Sequence, residues 1–458
     1  MSVIVKEDKL KQANSYVKNN REKVDNTYRQ KYHIMPPIGW MNDPNGFSYY
    51  NGEYHLFYQY NPYSSMWGSI HWAHVKSKDL VNWEYLDIAI APDEAYDISG
   101  CFSGSAIEKD GKLYLMYTGN QDPGGFENLR QVQCIAVSED GINFTKYENN
   151  PVIDSTKLPK EAIIQDFRDP KVYKKGDKYY SVIGSRNLDD SGQILLYSSD
   201  DLLNWNYEGN ILQSNNEFAK MWECPDLFEL DNKDILIMSP QFLEPRGNKY
   251  WNLHSSSYMI GNLDYKNNKY NLEKVEEIDY GFDFYAAQTF YNADRNILIA
   301  WIGMPDNAYI DRYEAWNQTL TMPRSIFFDK RIIQKPIQEI LDLRTDRKLY
   351  TNDFVIGKSC NIEWDADSDF SLQMNAIRCV YRNHKFTLDL SACSCNRQER
   401  CITPIEIRHV SVFIDESVLE IFINEGEYTM TSRFYDDEHS LHVTSENIKR
   451  FVTYNMRG

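Results

Sequence analysis

The sequence predicts an all-β protein: a five-bladed β-propeller, then a second β domain, with a short helix in front. Three observations carry this. One pattern recurs five times in the first three hundred residues. Each copy is dense in aromatic and branched residues and is broken by turn formers. The length, 458 residues, exceeds what one ordinary core holds and implies two domains.

The copies are PNGFSYYNGEYHLFYQY from Pro44, SGSAIEKDGKLYLMYTG from Ser103, PKVYKKGDKYYSVIGSR from Pro170, PDLFELDNKDILIMSPQ from Pro225 and AQTFYNADRNILIAWIG from Ala287. Each reads as strand, tight turn, strand, with the turn at Asn51, Asp110, Asp177, Asn232 and Asp294. A second signature recurs in three units. Ser77, Asp79, Asn82 and Trp83 match Ser138, Asp140, Asn143 and Phe144, and again Ser199, Asp201, Asn204 and Trp205. An aspartate turn packed by an aromatic suits an outer hairpin. Units of roughly 40–60 residues holding about four strands each are the mark of a propeller.

The helix is expected in the stretch LKQANSYVKNNREKVDNTYRQKYHIMPP, where Leu10, Ala13, Val17 and Val24 form a modest apolar face. The boundaries expected are a helical extension over 1–30, the propeller over 31–335, a linker over 336–344 and the second domain over 345–458.

Bulk properties exclude some partners. A net charge of −18 argues against nucleic acid, which needs a basic footprint. No apolar run is long enough to span a bilayer, and the first thirty residues lack a secretory apolar core, so no membrane partner and a cytoplasmic location are expected. The 33 Tyr, 21 Phe and 10 Trp suit sugar surfaces as well as sheet packing. Cys393, Cys395 and Cys401 match no common zinc spacing, so free thiols and no metal are expected.

Two Asp-Pro steps stand at equivalent positions, Asp43-Pro44 and Asp169-Pro170. Proline brings no N–H to a ladder, so both belong on the innermost edge of a blade, facing the central channel. Radial repetition then brings both carboxylates to one funnel. Glu223 lies two residues before Pro225. Strict alternation points it to the other face, so it joins the site only through a local irregularity. Three convergent carboxylates bind a metal or split a glycosidic bond. Asn42 and Asn45 beside Asp43 suit an anion. Trp222 beside Glu223 suits a neutral acid. Arg168 beside Asp169 suits a fixed charge that binds and orients.

The motifs GWMNDPNG, FYQYNP, CFSGSA, FRDPKV, MWECPDLF, DFYAAQTF and TLTMPRS, in that order, resemble glycoside hydrolase family 32, the β-fructofuranosidases. The resemblance implies Asp43 as nucleophile, Glu223 as general acid/base and Asp169 as transition-state stabiliser. It implies Asn42, Gln59, Trp67, Phe102, Ser103, Arg168, Asp283 and Tyr285 as fructose-pocket residues. It implies no cofactor. It also implies a double displacement with retention, the two catalytic carboxyl groups being about 5–5.5 Å apart. The region from residue 345 resembles the family's C-terminal β-sandwich, with FIDESVLEIFINEG as a hairpin turning at Asp415-Glu416-Ser417. Its role is open between stability, sugar binding and a homodimer contact.

The opening stretch and VQCIAVSEDGINF resemble the sucrose-6-phosphate hydrolase branch, so the substrate expected is sucrose or its 6-phosphate, with fructans second. Arg186, Lys249 and His254 are the candidate phosphate cations. Ala287 and Ser325 depart from the family's usual Pro and Glu, departures in blade five that bear on leaving-group specificity more than on catalysis. Two other classes remain: a non-catalytic fructoside-binding propeller, favoured by loss of a catalytic carboxylate, and a calcium-assisted or inverting hydrolase, favoured by chelator sensitivity or inverted product.

Overall fold

The computed structural model describes residues 8–305, 315–393 and 397–458. Five antiparallel sheets succeed one another along the chain, each built outward from an inner strand. The inner strands are Gly39–Tyr50, Gly100–Lys109, Ala162–Lys175, Met221–Leu230 and Tyr285–Thr289. Trp316–Asn317, from blade five, pairs in parallel with the inner strand of blade one and closes the ring.

Apolar residues explain why the blades stand side by side. One buried cluster fills each junction. Phe57 and Trp72 meet Cys101 and Leu113 between blades one and two. Ile107 and Ile135 meet Phe167 and Ile183 at the next. Val182 and Leu196 meet Trp222 and Leu236 at the third, and Ile235 and Tyr258 meet Leu298 and Ala300 at the fourth. Ile299 and Leu320 meet Met41 and Leu56 at the fifth. Both faces of every blade are thus buried, which a propeller requires and a single-faced sheet does not.

The repeated signature folds as expected in three blades. Asp79 accepts from the backbone of Val81 and Asn82 and from the Asn82 amide, and Asp140 and Asp201 make the same set of bonds. Trp83 and Trp205 donate to the carbonyls of Leu80 and Leu202. The first hairpin turns contain the expected residue in four blades: Asn51, Asp110, Asp177 and Asn232 each lie in a two-residue turn between the strands, and blade five differs. In blade five the strands end at Thr289 and restart at Ile297, so Asp294 sits in a longer loop.

The N-terminal helix covers only Lys9–Asn20, capped by Asp8, and buries Ala13 with Leu10 and Val17 packed beside it. Arg21–Lys23 is a 3₁₀ turn, so Val24 lies beyond the helical face. A short helix, Gln338–Leu341, bridges to the second domain. That domain is two six-stranded sheets packed face to face over one apolar core that includes Trp364, Phe386, Leu419 and Phe451. His409–Asp415 and Val418–Ile423 form the hairpin read from sequence, turning at Glu416-Ser417. Among the described residues no helix is long and apolar enough to cross a membrane. Of the cysteine trio, Cys395 lies outside the described residues.

Candidate active site

All five inner strands break register close to the channel. The shifts fall between Met41 and Pro44, Phe102 and Gly104, Glu223 and Asp226, and Tyr285 and Gln288; in blade three the shift lies opposite Val182 and Gly184. Asp169, Cys224 and Ala286 take positive φ, at 65°, 47° and 52°. A bulge adds one residue and re-aims the side chains around it. It supplies the irregularity that Glu223 needed. The aspartates stand within the inner strands rather than ahead of them.

The bulged strands enclose a cavity of about 780 Å³, lined by Asp43, Asp169 and Glu223 together. Asn42, Gln59, Trp67, Phe102, Arg168 and Tyr285 also line it. Trp67 is 56% exposed and meets Phe102 edge-on, leaving an aromatic rim. Ser103 is fully buried beneath the floor, where its hydroxyl donates to Asp43 Oδ2 at 2.7 Å and accepts from Gln59 Nε2 at 2.5 Å.

Asp43 Oδ2 also lies 3.5 Å from the Cys224 thiol, and Oδ1 accepts from Asn42 Nδ2 at 3.2 Å. Burial pushes the Asp43 carboxyl up to about 6, against the bond from Ser103 and with help from the nearby Glu223 charge. Asp169 Oδ2 accepts from the Cys224 amide at 3.0 Å and lies 3.5 Å from its sulfur. Burial, then Glu223, raise Asp169 to about 7, with Arg168 opposing. Cys224, the residue after Glu223, therefore bridges two carboxylates from different blades.

Glu223 accepts from Arg168 Nε at 2.8 Å, Gln241 Nε2 at 2.7 Å and the Tyr285 hydroxyl at 2.5 Å. Four expectations about neighbours are corrected here. Trp222 is no wall for Glu223; the bulge sends it between blades three and four, where its indole N–H bonds the Phe218 carbonyl. Arg168 bonds Glu223 and Asp166 rather than Asp169, because its guanidinium reaches past its own strand neighbour. The Asn45 amide donates to the Asp43 backbone carbonyl, not its carboxylate. Asp283 does not line the cavity: it is fully buried in an ion pair with Arg397 of the sandwich.

The phosphate candidates are also placed. Arg186 pairs with Asp166 at 2.7 Å and Asp190 at 3.2 Å, and Lys249 pairs with Glu276 at 2.9 Å. His254 is buried beside Phe242 and Tyr285. None of the three lines the cavity. Ala287 packs between blades four and five, and Ser325 borders the cleft between the domains, so neither departure reaches the cavity. Sequence reading missed Trp40, Gln131, Asp166, Gln241, Trp301 and Asn317, among others that line the wall. Trp40 lies inside the GWMNDPNG motif and Asp166 adjoins FRDPKV; the other four come from second or later strands whose register was not legible.

The pattern of known proteins decides the family. The N-terminal domain of glycosyl hydrolases family 32 matches residues 33–336, and the C-terminal domain matches residues 362–456. The chain belongs to glycosyl hydrolase family 32. A sucrose-6-phosphate hydrolase of Bacillus subtilis is 37% identical over 437 residues, covering 89% of each chain. A raffinose invertase of Escherichia coli is 36% identical, covering 94% of this chain and 95% of the relative. Among solved structures, the family 32 β-fructofuranosidase of Bombyx mori superposes with a TM-score of 0.89 at 36% identity, covering 98% of both chains. The sucrose-6-phosphate hydrolase of Lactobacillus gasseri gives 0.86 at 30% identity, covering 98% of this chain and 96% of that one.

Proposed function

We propose that this family 32 hydrolase cleaves the terminal β-fructofuranosyl bond of sucrose or sucrose-6-phosphate with retention. The observation that carries the reading is the joint presence of Asp43 and Glu223 in one cavity, on bulges of two different blades, linked through Cys224. Relatives named as sucrose-6-phosphate hydrolases, and a Bombyx mori variant solved with sucrose, support the substrate class.

The atoms divide as follows. Asp43 Oδ2 is held by Ser103 and Cys224, which leaves Oδ1, bonded only weakly by Asn42, as the attacking oxygen. Oδ1 bonds to the fructosyl C2 as the bond from C2 to the glycosidic oxygen breaks, and Glu223 passes its proton to that oxygen. Glu223 then takes a proton from water, whose oxygen displaces Asp43 from C2. Asp169 and Arg168 hold fructose hydroxyls. Gln241, Tyr285 and Arg168 fix the Glu223 carboxyl along the line of proton transfer.

Kinetics on sucrose and its 6-phosphate, with the first-formed fructose anomer followed by NMR, test this. β-Fructofuranose appearing first is expected; the α anomer first would refute retention.

The pH profile gives a second check. Asp43 must be ionised to attack, and its value stands raised to about 6. The acid limb of kcat/KM is therefore expected near pH 6, well above an ordinary aspartate. Ser103→Ala removes a bond that favours the anion, so the limb moves to higher pH in that variant. A limb near pH 4, or one that moves down in Ser103→Ala, contradicts the assignment.

A further inference from the structure

We infer that Asn317 is a substrate-facing hydrogen-bond donor of the cavity, and that Arg433 of the sandwich fixes its orientation. The inference rests on the fructosidase reading above. Arg433 ends the strand Tyr428–Arg433, on the edge of one sandwich sheet. It is buried, and its Nη1 donates to Asn317 Oδ1 at 3.2 Å and to Gln318 Oε1 at 3.1 Å.

A guanidinium offers donors and no acceptor. Both amides must therefore turn their oxygens toward Arg433 and their NH₂ groups away from it. Asn317 lines the cavity, so its NH₂ is the end left for a ligand. Trp40, paired with Asn317 across the ring closure, places this donor beside the strand that carries Asn42 and Asp43.

The support extends further along the same wall. Gln318 Oε1 also accepts from Trp301 Nε1 at 3.1 Å. Trp301 lines the cavity and packs edge-on against Trp40 and Tyr285, each with ring centroids 6.2 Å away. Arg433 is itself held at the main chain: its N–H donates to Asp283 Oδ2 at 2.7 Å, and Arg397 Nη2 donates to Asp283 Oδ1 at 2.8 Å. The sandwich thus supplies the fixed backing of one cavity wall. Arg433 is a positioning residue, acting through Asn317 and Gln318. It also accounts for the burial of Asp283, whose carboxylate anchors both arginines rather than the sugar.

The test is a split between KM and kcat. Asn317→Asp keeps an oxygen for Arg433 but presents an acceptor where the sugar now meets a donor. A mispaired polar contact of this kind is expected to raise KM for sucrose about tenfold, with kcat much less affected. Arg433→Lys retains the charge but not the forked donor, and is expected to raise KM in the same direction. Low concentrations of guanidinium should partly restore KM in Arg433→Ala. Arg344→Met is the structural control. That arginine pairs with Glu363 away from the cavity, so its loss is expected to lower the unfolding midpoint and leave KM unchanged. Wild-type KM in both Asn317→Asp and Arg433→Lys overturns the inference even if their midpoints fall. A wild-type protein inactive on both sucrose and sucrose-6-phosphate overturns the fructosidase reading first, and the inference with it.

Discussion

Glu223→Ala is expected to lose sucrose turnover by about 10²–10⁴-fold or more, because general acid catalysis alone is worth that much and a sugar alkoxide leaves poorly without a proton. The geometry states why nothing substitutes. Glu223 is fixed by Arg168, Gln241 and Tyr285, none of which can deliver a proton at neutral pH. Burial and the adjacent Glu223 push the Tyr285 hydroxyl well above its ordinary value. The defect should depend on the leaving group. Fructosyl fluoride needs no proton to depart, and azide needs no base to attack, so with both supplied the variant should approach the native rate. Asp43→Asn should be inactive on both substrates, since a neutral amide cannot replace the carboxylate that bonds to C2. Native turnover of sucrose by Glu223→Ala, or a deficit that fluoride and azide leave untouched, would show that the proton comes from elsewhere.

The three cavity carboxylates were legible because each lies one or two residues before a proline that opens a repeat, and the repeat fixes its radial position. The copies also placed the inner strands, since a buried strand and a tight turn have local signatures. What was not legible is set by bulges and by distance along the chain. A positive φ at Cys224 decides that Glu223 faces the cavity and Trp222 the blade junction, and no residue type at 224 announces it. Asp283 sits in a motif shared with pocket residues, yet its partner Arg397 comes from the other domain. Arg168 shows the same effect on a smaller scale: its charge was read correctly, but a long flexible side chain chooses its partners by tertiary position, here Glu223 and Asp166. Asn317 and Gln318 carried no sequence signal, because two neutral amides gain meaning only from the arginine that orients them.

The junction of the two domains should fail in alkaline solution before the domains themselves. His33, from the propeller, places Nδ1 2.7 Å from Asp415 and Nε2 2.8 Å from Glu420, both on the sandwich. Glu420 also binds Arg324 of blade five and accepts from the Met322 amide at 2.9 Å. All four side chains are essentially inaccessible. A ring bonded to carboxylates through both nitrogens must carry both protons. Burial alone would lower its value, but the bonds to Asp415 and Glu420 win and raise His33 to about 9. A raised histidine stabilises fully below its unfolded value, near 6.5, and the contribution is lost as pH climbs through about 9. The difference corresponds to about 3 kcal/mol. Unfolding free energy is therefore expected to fall between pH 6.5 and 9, and His33→Gln should flatten that fall while lowering stability at neutral pH. Glu420→Ala leaves Arg324 and His33 as buried cations without their shared partner, a change that costs about 3–5 kcal/mol. Denaturant titrations at several pH values measure both effects. An alkaline decline of the same size in His33→Gln would assign it to other groups and leave the His33 contacts without a role in holding the sandwich to the propeller.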